Sequence, residues 1–168
     1  MIQFLILALI SLTPSWAQEP PEATPSLKRW SFGIGPYGSV NLNSEEVLYG
    51  FSASRHWSSA EYAEIEARLA GALTFEDSSN FFSGTLGGSY LHHQKNFTPL
   101  VGAGFGLGLA HGPSLKAKFG FSGRAFLGAR LFQGSEVQMQ ILLEYQTLFA
   151  KNSEGVPGIF GGQLSILF

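Results

Sequence analysis

From Trp30 to Phe168 the chain returns again and again to a two-residue period, and this constrains its fold more than any other feature. Successive side chains of a strand point to opposite faces, whereas a helix brings a face round about every 3.6 residues. The first segment sets Trp30, Phe32, Ile34, Pro36, Gly38, Val40 and Leu42 against Ser31, Gly33, Gly35, Tyr37, Ser39 and Asn41. The second, Val47 to Trp57, gathers Val47, Tyr49, Phe51, Ala53, Arg55 and Trp57 on its apolar face, with Arg55 a misfit. The third has a composition a helix would accept. Yet Ala63, Ile65, Ala67, Leu69, Gly71, Leu73 and Phe75 alternate with Glu64, Glu66 and Arg68, and a helix would put those charges into its apolar stripe. Further segments run from Phe81 to His93, Phe97 to Leu109, Leu115 to Phe132, Val137 to Phe149 and Phe160 to Phe168. Between them lie turn signals such as Asn43-Ser44, Ser58-Ser59, Asp77 to Asn80, Lys95-Asn96, Gly112-Pro113, Gly134-Ser135 and Asn152 to Pro157.

Eight such segments, each about long enough to cross a tilted bilayer, predict an all-β, eight-stranded antiparallel up-and-down transmembrane barrel over residues 30–168. A soluble barrel would also alternate, with its apolar face inward, so the direction of the faces has to be argued. Gly102, Gly104, Gly106 and Gly108 share the less apolar face of the fifth segment, where exposure to water would weaken a strand and a narrow lumen would gain room. Lys116, Lys118, Arg124, Phe126 and Arg130 stand on the same face of the sixth segment and are large enough to fill that room. Aromatic residues also collect near the ends of the apolar face, as membrane interfaces require. With both termini on the periplasmic side, Trp30, Trp57, Phe97 and Phe168 form one rim, and Tyr49, Phe75, Phe82, Phe149 and Phe160 the other. In a bilayer Arg55 would snorkel toward the headgroups.

The remaining composition narrows the class. At 168 residues the chain holds one domain. A net charge of −2 gives no reason to expect nucleic acid, and the absence of cysteine excludes disulfides and thiolate metal sites. Residues 1–17 read as a signal peptide, an apolar run from Ile2 to Leu12 followed by Pro14, Ser15 and Ala17, although the amino terminus carries the only positive charge before it. Residues 18–29 read as a Pro-rich periplasmic lead-in.

Eight charged residues take the lumen parity: Glu64, Glu66, Arg68, Lys116, Lys118, Arg124, Arg130 and Glu144. Unpaired charges in a constricted interior are costly, so they are expected to pair. A sixth-to-seventh hairpin turning about Gly134 places Arg124 directly across from Glu144. The network is expected to plug the lumen structurally; the alternative is a gate or selectivity element in a narrow channel. Other motifs carry little. Gly33-Ile34-Gly35-Pro36-Tyr37-Gly38 matches a dinucleotide fingerprint but lacks the helix that would meet a pyrophosphate. His92 and His93 are adjacent, so on a strand they face opposite ways and cannot chelate one ion together. His111, Ser114 and Glu154 form a trio of the kind that arises by chance. No catalytic residue, metal site or cofactor is expected.

The last strand, FGGQLSILF, and the glycine-rich TPLVGAGFGLGLA resemble the small eight-stranded outer-membrane barrels of the OmpA and OmpX type, over about Trp30 to Phe168. The resemblance implies a monomer in contact with outer-membrane lipid and lipopolysaccharide. It also implies recognition by the barrel-assembly machinery through Phe160, Leu164, Ile166 and Phe168. That family's long surface loops, which often carry adhesion, are missing here. Lipid A deacylases are similar in size and architecture, but Phe149-Ala150-Lys151-Asn152, the nearest equivalent of their His-x-Ser-Asn stretch, keeps only the Asn. The expected role is therefore structural and non-enzymatic.

Overall fold

The computed structural model describes residues 30–42, 45–74, 79–92, 96–112, 115–132, 135–149 and 158–168, the side chains of 115 and 116 excepted. The expected signal peptide and lead-in lie outside these residues, as do Phe75 and His93. Eight strands follow one another: β1 (Trp30–Asn41), β2 (Val47–Ala60), β3 (Ala63–Leu73), β4 (Asn80–Leu91), β5 (Phe97–Gly112), β6 (Leu115–Leu131), β7 (Gln138–Phe149) and β8 (Gly158–Leu167). Each pairs antiparallel with the next, and β1 pairs with β8, so the sheet closes into an up-and-down barrel. Closure leaves no open sheet edge. Its last step uses the final residue: Phe32 N–H donates to Phe168 O at 3.1 Å, and Phe168 N–H returns a bond to Phe32 O at 2.9 Å.

The expected alternation holds along every strand, and the barrel is inside out relative to a soluble one. Ile34, Phe51, Leu69, Leu86, Phe105, Phe121, Leu143 and Leu164 all lie exposed on the outer face. The buried residues include Ser52, Ser54, Glu66, Thr85, Arg124, Gln140, Gln146 and Ser165. The interior still has two apolar ends. Tyr37, Leu48, Ala72, Phe81 and Ile159 cluster at the end away from the termini. Leu91, Leu100, Phe126 and Leu142 cluster toward the end that carries the termini. Phe126 packs against Gly102, directly across the β5–β6 ladder, and a Cβ at Gly102 would come within 2.3 Å of its ring. The glycine wall and the crowded wall fit each other in this way.

Three details differ from the sequence reading. Ser58-Ser59 is not a turn: β2 runs on to Ala60, a bulge between Ser58 and Ala60 shifts the register, and the chain reverses at Glu61 and Tyr62. The bulge carries one extra residue on β2, so that Ala60, two residues beyond inward-facing Ser58, falls opposite Ala63 of the outward parity. The β6–β7 hairpin pairs Arg124 with Gln146 and Phe126 with Glu144, a register offset by two from a turn centred on Gly134. A two-residue offset preserves parity, so the alternation alone could not detect it. Finally, aromatics are not confined to the rims, since Phe51 (72% exposed) and Phe105 (74%) stand well inside their strands.

Candidate functional site

The interior charges form the one chemically distinctive assembly among the described residues. Alternation in β3 aims Glu64, Glu66 and Arg68 inward; β6 contributes Arg124 and Arg130, and β7 contributes Glu144. Three carboxylates thus meet three guanidiniums, all buried. Glu144 sits at the centre, accepting from Arg68 Nη2 at 3.1 Å and from Arg124 Nε at 2.7 Å. Arg124 Nη1 donates to Glu66 Oε2 at 3.0 Å, and Arg68 Nε donates to Gln163 Oε1 at 2.9 Å. Arg68 and Glu144 belong to β3 and β7, on opposite walls of an eight-stranded closed sheet, so this pair ties the barrel across its lumen. The side of each guanidinium is also covered: Arg68 lies 5.0 Å from the Tyr37 ring and Arg124 lies 4.2 Å from the Phe126 ring.

A second layer lies nearer the termini. Arg130 grips Glu64 with two bonds, Nη1 to Oε1 at 2.6 Å and Nη2 to Oε2 at 2.7 Å, the fork geometry that makes Arg–carboxylate pairs strong. Away from the termini the charges give way to neutral groups, where Gln146 Nε2 donates to Ser122 Oγ at 2.6 Å and Ser83 Oγ donates to Gln146 Oε1 at 3.4 Å. The network is not saturated. Glu66 Oε1, Arg68 Nη1, Arg124 Nη2 and Arg130 Nε make no hydrogen bond to protein.

Of the eight charges assigned to the lumen by parity, six lie in this network. Lys118 does not join it: half-buried and opposite Ala110 near the far end of β6, it stands six residues along the strand from Arg124. The side chain of Lys116 lies outside the described residues. Arg124 does reach Glu144, but diagonally, because Glu144 stands across from Phe126. On the outer face Trp30, Tyr49, Phe82, Phe97, Phe149, Phe160 and Phe168 are exposed and Trp57 is half-buried. Leu164 and Ile166 are also exposed on the outward side of β8. His92 follows β4, where its N–H bonds Pro99 O at 2.9 Å, and Ser114 and Glu154 lie outside the described residues.

Sequence reasoning missed Ser54 and His56, although both share the inward parity of Ser52. Ser54 Oγ lies 2.9 Å from His56 Nε2, and His56 Nδ1 lies 3.5 Å from Glu64 Oε2. A hydroxyl, an imidazole and a carboxylate in that order have the connectivity of a nucleophile, its base and an orienting acid. The surroundings oppose such chemistry here. Glu64 is already held through both oxygens by Arg130, and Ser54 and His56 are 3% and 2% exposed. A methyl group added at neighbouring Gly33 would meet Leu167 at 2.6 Å and Ser54 Oγ at 2.8 Å, so the side of the hydroxyl that faces β1 is closely packed.

Comparison with solved structures agrees on the architecture. Neisserial surface protein A aligns with a TM-score of 0.62 at 12% identity, covering 82% of this chain and 92% of that one. Ail, the attachment invasion locus protein of Yersinia pestis, aligns at 0.53 and 17% identity, covering 83% and 97%. The outer membrane enzyme PagL aligns at 0.57 and 12% identity, covering 81% and 98%. No protein-family model matches the chain, and no curated protein does. At these identities the likeness shows the fold.

Proposed function

We propose, from the fold this chain shares with the small eight-stranded outer-membrane barrels, that it is an integral bacterial outer-membrane protein with a plugged lumen and a structural role in the envelope, and not an enzyme. The apolar outer face supports insertion: large hydrophobic side chains are exposed on all eight strands, far beyond the patch a soluble monomer tolerates. Bilayer hydrocarbon removes that cost, and a closed sheet is one of two ways a chain can satisfy its backbone there. The terminal end, with Trp30, Trp57, Phe97 and Phe168, then faces the periplasm. The observation that carries the plug is the cross-lumen network itself, three carboxylates bonded to three guanidiniums between two apolar clusters. A water-filled pore would instead leave such groups hydrated.

The test has three parts. Cells expressing the protein are fractionated, and the outer-membrane fraction is run on a gel with and without boiling; a heat-dependent mobility shift is expected, and a soluble periplasmic protein without one overturns insertion. Planar bilayer recordings are expected to show no stable conductance, and an ohmic, ion-selective current overturns the plug in favour of a narrow channel. Purified lipid A incubated with the refolded barrel is expected to keep its acyl chains. Release of fatty acid would establish the enzymatic alternative that the shared fold with PagL keeps in view.

A further inference from the structure

Arg55 is the misfit of the outer face. It is exposed at the lower part of β2, across from Phe32 on β1 and Ala67 on β3. Among the described residues it is the one permanently charged side chain on the outward side of the strands, and no carboxylate there pairs with it. Its guanidinium is nevertheless placed by aromatic contacts, 5.5 Å from the Trp30 ring centroid and 5.2 Å from that of Trp57. Trp30 and Trp57 face each other in the β1–β2 ladder, so the cation rests against a rigid aromatic pair at the end of the barrel that carries the termini. Cation–π contact orients a guanidinium but leaves its five in-plane donors free. Directly beside it runs an outward groove of about 690 Å³, floored by Ala53 and Ala67 and walled by Phe32, Leu69, Leu86 and Phe105. The groove continues toward the far end through Ala53, Leu69 and Leu107.

We infer that Arg55, Trp30 and Trp57 bind the phosphate of an anionic glycerophospholipid in the periplasmic leaflet, with one acyl chain lying in the apolar groove above them. The inference rests on the reading that the outer face meets lipid. A planar guanidinium takes two oxygens of a phosphate in its fork, and tryptophan is at home at the headgroup boundary. The chemistry also sets the preference. A zwitterionic headgroup brings an ammonium that competes with Arg55 for the same phosphate, whereas a glycerol headgroup does not. The groove runs from the cation away from the terminal rim, the direction in which an acyl chain enters the hydrocarbon from that leaflet.

The test uses the protein purified from outer membranes, in which Trp30 and Trp57 are the tryptophans that remain once residues 1–17 are removed as expected. It is exchanged into nanodiscs of phosphatidylcholine doped with phosphatidylglycerol, and co-retained lipid is counted by native mass spectrometry after transfer to detergent. One phosphatidylglycerol per barrel is expected, retained about tenfold over phosphatidylcholine, with a change in tryptophan emission. Arg55→Gln should erase the preference, Arg55→Lys should keep part of it, and Ala67→Phe should block retention by filling the groove while leaving the cation. Equal retention of the two lipids by the parent, or an unchanged preference in Arg55→Gln, overturns the inference. Inorganic phosphate at millimolar concentration is expected to leave the emission unchanged; if it reproduces the lipid's effect, the site takes a free anion and the lipid assignment fails. The heat-dependent mobility shift is measured on every sample. Its presence without lipid preference rejects this site alone, and its absence in the parent rejects the membrane reading beneath it.

Discussion

Replacing Glu144 by glutamine removes the carboxylate that two buried guanidiniums share. The contacts are 3.1 Å to Arg68 and 2.7 Å to Arg124, and all three side chains are at most 1% exposed. At an effective dielectric constant of about 20, each contact is worth about 5 kcal/mol before desolvation. The desolvation of Arg68 and Arg124 is not returned when Glu144 loses its charge. The middle layer then holds two cations against Glu66 alone, and the expected net loss is about 3–5 kcal/mol, the range for breaking a buried pair from one side. The assay is reversible urea unfolding in lipid vesicles, followed by tryptophan emission and checked by the heat-dependent mobility shift. With a slope of about 2 kcal/mol per molar urea, a 4 kcal/mol loss moves the midpoint down by about 2 M. The decisive comparison is the double substitution. Arg68→Gln alone should also destabilise, whereas Glu144→Gln with Arg68→Gln restores a balance of two carboxylates and two guanidiniums and should recover at least about 2 kcal/mol relative to the sum of the singles. A loss below about 1 kcal/mol for Glu144→Gln, or strict additivity of the pair, would refute the claim that this network holds the walls together.

Other perturbations separate the remaining claims. Gly102→Ala drives a methyl group into the Phe126 ring and should cost about 1–3 kcal/mol, whereas Gly38→Ala, with nothing within 4 Å of its Cβ, should be close to neutral; urea midpoints of the two variants compare them directly. Gly102→Ala combined with Phe126→Leu should recover part of the loss. Glu45 holds a left-handed backbone with φ of 59° in the β1–β2 turn, so Glu45→Gly should raise stability by about 1 kcal/mol, read as a higher midpoint. Deleting Phe168 removes the two backbone bonds to Phe32 that end the β1–β8 seam. It should lower the heat-shifting fraction in outer membranes several-fold, and Phe168→Leu, which keeps both bonds, should lower it less.

The amount legible beforehand follows the range of the interactions. Parity is a property of adjacent residues, so the period in Trp30 to Leu42 or Val137 to Phe149 was enough to assign faces, strand count and the inward direction of Glu64, Arg124 and Glu144. Register is a relation between strands, and a slip of two leaves parity unchanged; this is why Arg124 was set opposite Glu144 when Gln146 stands there. His56 carried the same inward parity as Ser52 and Ser54, but single-strand pattern gives no sign that it lies 3.5 Å from Glu64. Arg55 is a misfit in the single-strand pattern, and its place near the Trp30 and Trp57 rings depends on the pairing of β1 with β2.

Sequence alone therefore determined that this chain alternates, closes as a barrel and keeps most of its charge on one face, because those outcomes follow from backbone geometry repeated strand by strand. Tertiary structure decided which charges meet across the lumen, where the inward apolar residues cluster and which rings meet the outward-facing cation. Those outcomes depend on register and on the distance between opposite walls, which the closed barrel sets and no single strand encodes.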